Sequence, residues 1–79
     1  MKKNIKDLTK DALDQYKKGN FDIAEEIYNK ILEIDNENFI SIYNIGIIRF
    51  TKKDFKNSEN FLKKAFELNN KSEKYFSAV

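Results

Sequence analysis

The sequence of 79 residues contains no cysteine, no histidine and no proline, and only two glycines. Without cysteine, the fold cannot be held by disulfides or by thiolate zinc sites. Without histidine and cysteine, the most common general base, the thiol nucleophile and the imidazole metal ligand are all missing. Gly19 and Gly46 are isolated, so the chain has no glycine-rich phosphate loop. We therefore expect no enzymatic activity, no metal site and no cofactor.

The chain also lacks a long apolar run and a strong excess of charge. No stretch approaches the roughly 18 apolar residues of a membrane span, and charged residues interrupt the N-terminal segment where a signal peptide would be apolar. The 15 basic and 13 acidic residues give a net charge of +2, so bulk charge gives no reason to expect a nucleic-acid partner. We expect a cytoplasmic protein with no membrane association. The helical glutamates show no calcium-loop spacing and are expected on solvent faces; they are Glu25, Glu26, Glu33, Glu59 and Glu67.

The composition and the apolar periodicity are typical of α-helices. Lys, Glu, Ile and Leu are abundant, and none of the usual hairpin signals is present. Apolar residues recur with a spacing of about 3.6, and an Asn or Asp that can cap a helix precedes several of these segments. The pattern predicts an all-α fold of about five helices, at residues 5–18, 21–34, 39–50, 55–68 and 73–79, with a polar turn at 69–72 before the last helix.

The predicted helix at 39–50 differs from the others because its apolar residues occupy every side of the helical wheel. Such a helix must be covered all round, so we expect it at the centre of the fold. On the helical wheel, Ile42, Ile45 and Gly46 share a side that can face the next helix. That next helix is expected to bury Phe55, Ser58, Phe61, Leu62, Ala65 and Phe66.

Aligning the chain with itself at an offset of 34 residues shows an internal repeat. Nearly every apolar position of the first copy remains apolar in the second, and several residues are identical. The paired positions include Phe21 with Phe55, Glu25 with Glu59, Ala12 with Gly46, and Ala24 with Ser58.

In this period, in its small and large packing residues, and in the turn Gly19-Asn20-Phe21-Asp22, the chain resembles the tetratricopeptide repeat family. The resemblance covers the chain after Lys3. It implies a single domain of helix-turn-helix repeats stacked as a short right-handed α-solenoid. The implied parts are a tail at 1–4, repeat 1 at 5–38, repeat 2 at 39–72, and a C-terminal helix at 73–79 that starts a third repeat or caps the second.

Five residues depart from the family pattern. Asn36 and Asn70 replace the usual proline, and Lys53 replaces the glycine of the second turn. A positive φ at Lys53 would cost roughly 1 kcal/mol. Asp11 and Gln15 stand where the family has bulky residues, which a first repeat with no neighbour before it tolerates.

The resemblance implies a protein–protein interaction module whose concave groove is lined by the first helix of each pair. Asn44 and Lys74 match only two of the five positions of a carboxylate clamp, so we expect an apolar and aromatic groove for a peptide or an amphipathic helix. Tyr43 and Ile47 are the expected anchors, because buried aromatic residues carry much of the binding energy. The expected groove residues are Lys6, Thr9, Leu13, Lys17, Ile40, Tyr43, Asn44, Ile47, Phe50 and Lys74.

The alternative is a self-associating scaffold or a fragment of a longer solenoid. Solenoids need about three repeats, and their terminal repeats normally present a polar outer face. Here Tyr75, Phe76 and Val79 have no closing helix after them. Two copies could complete each other as a homodimer through this end.

Overall fold

A computed structural model describes the backbone of residues 4–77 and the side chains of residues 4–70. This part of the chain contains four helices and no strand, which confirms the expected all-α class. The helices are α1 (Ile5–Lys17), α2 (Phe21–Ile34), α3 (Phe39–Thr51) and α4 (Phe55–Ser77).

The expected count of about five helices is not what the described residues show. The predicted turn at 69–72 lies inside α4, and residues 73–77 continue that helix instead of starting another. The residues at 69–72 differ from those of the first turn, with Asn69 in place of Asp35 and Ser72 in place of Asn38. At the equivalent point of the first repeat, the Asp35 carboxylate accepts a hydrogen bond from the Glu37 amide and Asn38 caps α3, so the chain turns back there.

The helix starts follow from local capping. The side-chain oxygen of Asn4 accepts a hydrogen bond from the Asp7 amide at 2.8 Å, and that of Asn38 accepts one from the Ser41 amide at 2.9 Å. Each bond satisfies one of the backbone donors that a helix N-terminus leaves free. The caps lie one repeat apart and fix the beginning of the first helix in each pair.

The turns inside the two pairs have the same geometry. Gly19 has φ +82° and Lys53 has φ +65°, so both residues adopt the left-handed backbone conformation. After α1 the Asn20 amide donates to the Gln15 carbonyl at 2.9 Å, and after α3 the Asp54 amide makes the corresponding bond at 2.9 Å. This bonding closes a helix end with a left-handed residue, normally glycine. The positive φ at Lys53 therefore places a strained residue in the second turn.

The helices pack in chain order, with α1 against α2, α2 against α3 and α3 against α4. The core lies among the first three helices, and burying one large aliphatic side chain there contributes about 1.5–3 kcal/mol. Its members are almost fully buried: Ala12, Ala24, Tyr28, Ile31, Ile45 and Ile48. Ile45 lies in this core, against which Phe61 of α4 also packs.

Small residues allow the two helices of the second pair to approach closely. A Cβ placed on Gly46 would lie 2.7 Å from Leu62 Cδ2, which confirms that Gly46 faces α4. The Ser58 hydroxyl donates to the Gly46 carbonyl at 2.8 Å and is buried. In the first pair the equivalent residues are Ala12 and Ala24, both completely buried.

Two burial predictions for α4 are wrong. Ser58 and Ala65 are buried as expected, but Phe55 and Phe66 are 55% and 63% exposed. Nothing within the described residues packs on the outer side of α4. α3 packs against α2 and α4, in agreement with its expected central position, and the side of α3 that carries Tyr43 and Phe50 remains exposed.

Candidate functional site

One side of α3 carries large apolar side chains that the fold leaves in solvent. Ile40, Tyr43 and Phe50 are 46%, 44% and 59% exposed, and Ile47 beside them is half-buried. These four residues, called the α3 apolar face below, were all expected in the groove. Phe39 stacks on Tyr43 with ring centroids 5.8 Å apart, which extends the apolar surface towards the start of the helix. Contiguous exposed apolar surface on a small protein marks an interaction site.

The groove residues expected on α1 form a more polar surface. Lys6 and Lys17 are exposed, and Leu13 is 37% exposed. The Thr9 hydroxyl donates to the Ile5 carbonyl at 2.7 Å, so this side chain is bound to its own helix. Because α1 and α3 do not pack extensively on each other, the expected groove spans two helices joined mainly through α2.

Of the two residues that match a carboxylate clamp, only Asn44 has a side chain that the structure describes. The Asn44 side-chain amide donates to the Ile40 carbonyl at 2.8 Å, within its own helix. The side chain of Lys74 lies outside the described residues, as do those of Tyr75 and Phe76 and the whole of Val79.

A second apolar surface, which the sequence-based prediction missed, lies at the end of the repeat stack. It is a groove of about 230 Å³ between the first half of α3 and the later part of α4. Of its residues only Tyr43 had been predicted as a site residue. We call it the end groove; it is lined by Phe39, Tyr43, Leu62, Ala65, Phe66 and Asn69.

The repeat itself contains the signal that would have found the end groove. At the offset of 34 residues, Leu62 and Ala65 correspond to Tyr28 and Ile31. Tyr28 and Ile31 are completely buried in the core with residues of α3. In the first repeat, α3 covers this surface. The end groove is the equivalent surface of the second repeat.

Ion pairs border the contact between α2 and α3. Arg49 pairs with Glu25 at 2.5 Å and with Asp54 at 3.4 Å, and Lys52 pairs with Asp22. The expectation that Glu25 faces solvent is wrong, because its side chain is only 13% exposed beside Arg49. The hydrogen bond from Lys52 lowers the pKa of Asp22 below its usual value. The pairs with Glu25 and Asp22 link α3 to α2 at the border of their contact.

Asp54 directly precedes α4 and has a second anchoring role. Its carboxylate accepts a hydrogen bond from the Asn57 side chain at 2.9 Å and another from Arg49. The bond from Asn57, more than the nearby guanidinium, lowers the pKa of this carboxyl. The turn between α3 and α4 is thus tied to the same arginine that joins the two repeats.

Burial raises the pKa of the Tyr28 phenol above its usual value. Its hydroxyl is buried and has no hydrogen-bond partner among the described residues. The described carboxylates form no group of three or more that could hold a metal ion. None of the helices in the described part is long and apolar enough to cross a bilayer.

Two helix pairs that repeat every 34 residues, with matching turns and a shared core, define a helical-repeat protein. The family model of the tetratricopeptide repeat matches residues 15–38 and 40–72, well over half of the chain. The chain therefore belongs to the tetratricopeptide repeat family, and it contains two repeats. Repeats of this family are non-enzymatic modules of protein–protein interaction. No curated protein and no solved structure was found to match the chain.

Proposed function

We propose that this protein binds a peptide or an amphipathic helix of a partner protein in an apolar groove that includes the α3 apolar face. In this proposal, repeats at 5–38 and 39–72 stack as a short right-handed solenoid in the cytoplasm, with α1 and α3 on its concave side. Leu13 extends the apolar surface onto α1, and Lys6 and Lys17 border it.

The exposure of the α3 apolar face carries this proposal. The most apolar helix of the protein leaves Ile40, Tyr43 and Phe50 between 44% and 59% exposed. Covering apolar area gains roughly 25 cal/mol per Å², so a partner that shields these side chains is stabilised without any charged contact. Aromatic residues in such patches are frequent hot spots of binding.

The test is a selection of binders from a displayed library of random peptides, followed by affinity measurements on variants. We expect the double variant Tyr43→Ala/Ile47→Ala to weaken the selected peptides at least tenfold while the helical circular dichroism is retained. The matched control is Ile34→Ser, which changes a 60% exposed isoleucine on α2, away from this face. Selected peptides that bind the double variant as well as the unchanged protein would move the site elsewhere.

Self-association through the end of the stack is the second candidate, favoured by the exposed phenylalanines of the end groove. Light scattering on a size-exclusion column over about a hundredfold range of concentration tests it. A constant mass of one chain would exclude a stable homodimer and leave both apolar surfaces open to other partners.

A further inference from the structure

The contact between the two repeats is a template for what binds the end groove. Ser41, Ile45 and Ile48 of α3 are buried, and Arg49 and Lys52 of the same side pair with α2. This side of α3 therefore lies against the surface of α2 that contains Tyr28 and Ile31. The end groove is the equivalent surface of the second repeat, because each of its residues lies 34 positions after a residue of the first repeat. The pairs are Phe39 with Ile5, Tyr43 with Thr9, Leu62 with Tyr28, Ala65 with Ile31, Phe66 with Leu32, and Asn69 with Asp35.

The equivalent positions are covered in the first repeat and open in the second. Leu32 is half-buried against the core, whereas its counterpart Phe66 is 63% exposed. Tyr28 and Ile31 are replaced by the smaller Leu62 and Ala65, which fill less space at the equivalent positions. The groove volume of about 230 Å³ lies below the roughly 300–1,000 Å³ of typical small-molecule sites. It suits the side chains of a helix.

The charges next to the groove select the helix that fits. Glu59 corresponds to Glu25, which pairs with Arg49, and it is exposed. Lys56 corresponds to Asp22, which pairs with Lys52, so the charge at this position is reversed. A helix bound as α3 is bound would need a basic residue opposite Glu59 and an acidic residue opposite Lys56.

The first helix of a second copy does not meet these requirements. In α1 the residues equivalent to Ser41, Ile45 and Ile48 are Asp7, Asp11 and Asp14. Stacking two copies head to tail would place these carboxylates on the apolar floor of the end groove, which is costly. It would also bring Lys18, the equivalent of Lys52, next to Lys56.

The described residues after the groove do not return over it either. In the first repeat the turn after α2 returns the chain so that α3 lies across α2. In the second repeat residues 69–77 continue α4. Among the described residues no helix of this chain occupies the end groove, so the groove is open to a helix of a partner.

We propose that the end groove binds an amphipathic helix of a partner protein, parallel to α3, with a defined pattern of side chains. The helix has large apolar residues at positions i, i+4 and i+7, a basic residue at i+8 opposite Glu59, and an acidic residue at i+11 opposite Lys56. The spacing is that of Ser41, Ile45, Ile48, Arg49 and Lys52 in α3. This site differs from the groove proposed above, because only Tyr43 of the four residues of the α3 apolar face lines it.

The probe is a fluorescent peptide that copies residues 38–53, with a side-chain lactam on its solvent face because short isolated helices are marginal in water. It keeps Ile45, Ile48 and Arg49, carries Ser41→Leu and Lys52→Glu, and has glutamine at its other apolar positions. The comparison peptide is identical but retains Lys52. Binding to the intact protein is measured by fluorescence anisotropy.

We expect the acidic peptide to bind roughly threefold to tenfold more tightly than the comparison peptide, and Lys56→Glu to invert this preference. Phe66→Ser should weaken binding at least tenfold. Phe55→Ser is the matched control, because Phe55 is similarly exposed on the same helix but does not line the groove; it should leave the affinity unchanged. Thermal melts of both variants establish that they are folded.

Three results would overturn the proposal. In the first, neither peptide binds. In the second, the two peptides bind equally well, both to the unchanged protein and to Lys56→Glu. In the third, the protein forms a Phe66-dependent homodimer that excludes the peptide. The last result would assign the groove to a second copy. Ile47→Ala separates this test from that of the proposed function, because Ile47 belongs to the α3 apolar face but does not line the end groove.

Discussion

The two helix pairs of this protein share their internal geometry but differ in what covers them. In the first pair Tyr16 and Phe21 meet edge to face with ring centroids 5.3 Å apart, and in the second Phe50 and Phe55 do so at 5.4 Å. The first two rings are half-buried against the core, whereas Phe50 and Phe55 are 59% and 55% exposed. Packing within a pair is thus independent of the neighbour that later buries it.

The same difference distinguishes the two ends of the stack. On α1 the positions that could face a preceding repeat hold Asp7, Asp11 and Asp14. At the other end the equivalent of a covered surface is the apolar end groove with Phe39 and Phe66. A polar terminal face is what a capped solenoid presents. One end therefore has the character of a cap and the other that of an interface.

The largest effect is expected from removing a side chain that joins the repeats. Ile48→Ala should lower the free energy of unfolding by about 2–5 kcal/mol, because Ile48 is completely buried and its loss leaves a cavity. Asp14→Ala changes the equivalent, exposed position of α1 and should change stability by less than about 0.5 kcal/mol. Urea unfolding of both variants gives the comparison. Equal losses would mean that α1 and α3 are covered alike.

The close approach within the second pair gives the next effect. Gly46→Ala should destabilise by about 1–2 kcal/mol, because its Cβ would lie 2.7 Å from Leu62 Cδ2 and 3.3 Å from the Leu62 amide nitrogen, although alanine favours helix. In a Leu62→Ala background the same change should no longer destabilise. The reverse change in the first pair, Ala12→Gly, should cost about 1 kcal/mol through helix propensity and backbone freedom. A stabilising Gly46→Ala would show that α3 and α4 are farther apart.

Giving the second turn the residue of the first should stabilise the protein. Lys53→Gly is expected to add about 0.5–1 kcal/mol, because glycine adopts the positive φ without the penalty that a side chain incurs. For a domain of this size, this corresponds to a rise of a few degrees in melting temperature by calorimetry. Gly19→Ala should lower the melting temperature by the same mechanism. A fall after Lys53→Gly would contradict a left-handed residue in the second turn.

The smallest expected effect is the loss, in acid, of the stability that the ion pair between Lys52 and Asp22 contributes. The pKa of Asp22 is lowered in the folded protein, chiefly by its hydrogen bond from Lys52. A lowered folded pKa contributes stability above the unfolded value, near 3.9, and this contribution is lost as the pH falls through the folded pKa. Asp22→Asn should therefore destabilise slightly at pH 6 and hardly at all near pH 2.

Chemical unfolding at both pH values measures this difference. The control is Asp22→Asn in a Lys52→Met background, where the partner is already absent and the pH dependence of the effect should vanish. An effect of the same size at pH 2 and pH 6 would show that Asp22 contributes through something other than its charge.

Much of the local structure could be predicted from short stretches of sequence. Asn4 and Asn38 identified helix starts, and Gly19 identified a turn that Lys53 repeats with positive φ. Such features depend on a few neighbouring residues and their backbone preferences. The burial of Ala24 and Ser58 was equally predictable, because they recur one period apart where paired helices come close.

The predictions that failed required knowledge of distant neighbours. Phe55 and Phe66 have the spacing of buried residues, yet no described element covers them. The helical pattern placed Glu25 on a solvent-facing side, but Arg49 from the next repeat lies against it. The polar residues at 69–72 predicted a turn, but these residues continue α4.

The sequence alone determined the repeat length, the two helix pairs and the small residues through which each pair packs, because these depend on local preferences and on side-chain size. Which copy of each surface is buried depends on how the helices pack against one another. Equivalent positions, such as Tyr28 with Leu62 and Leu32 with Phe66, differ in exposure. The reason is that α3 covers the first helix pair, whereas no described helix returns over the second. Burial is a property of the neighbour as much as of the residue, and here it leaves an apolar groove at one end of the stack.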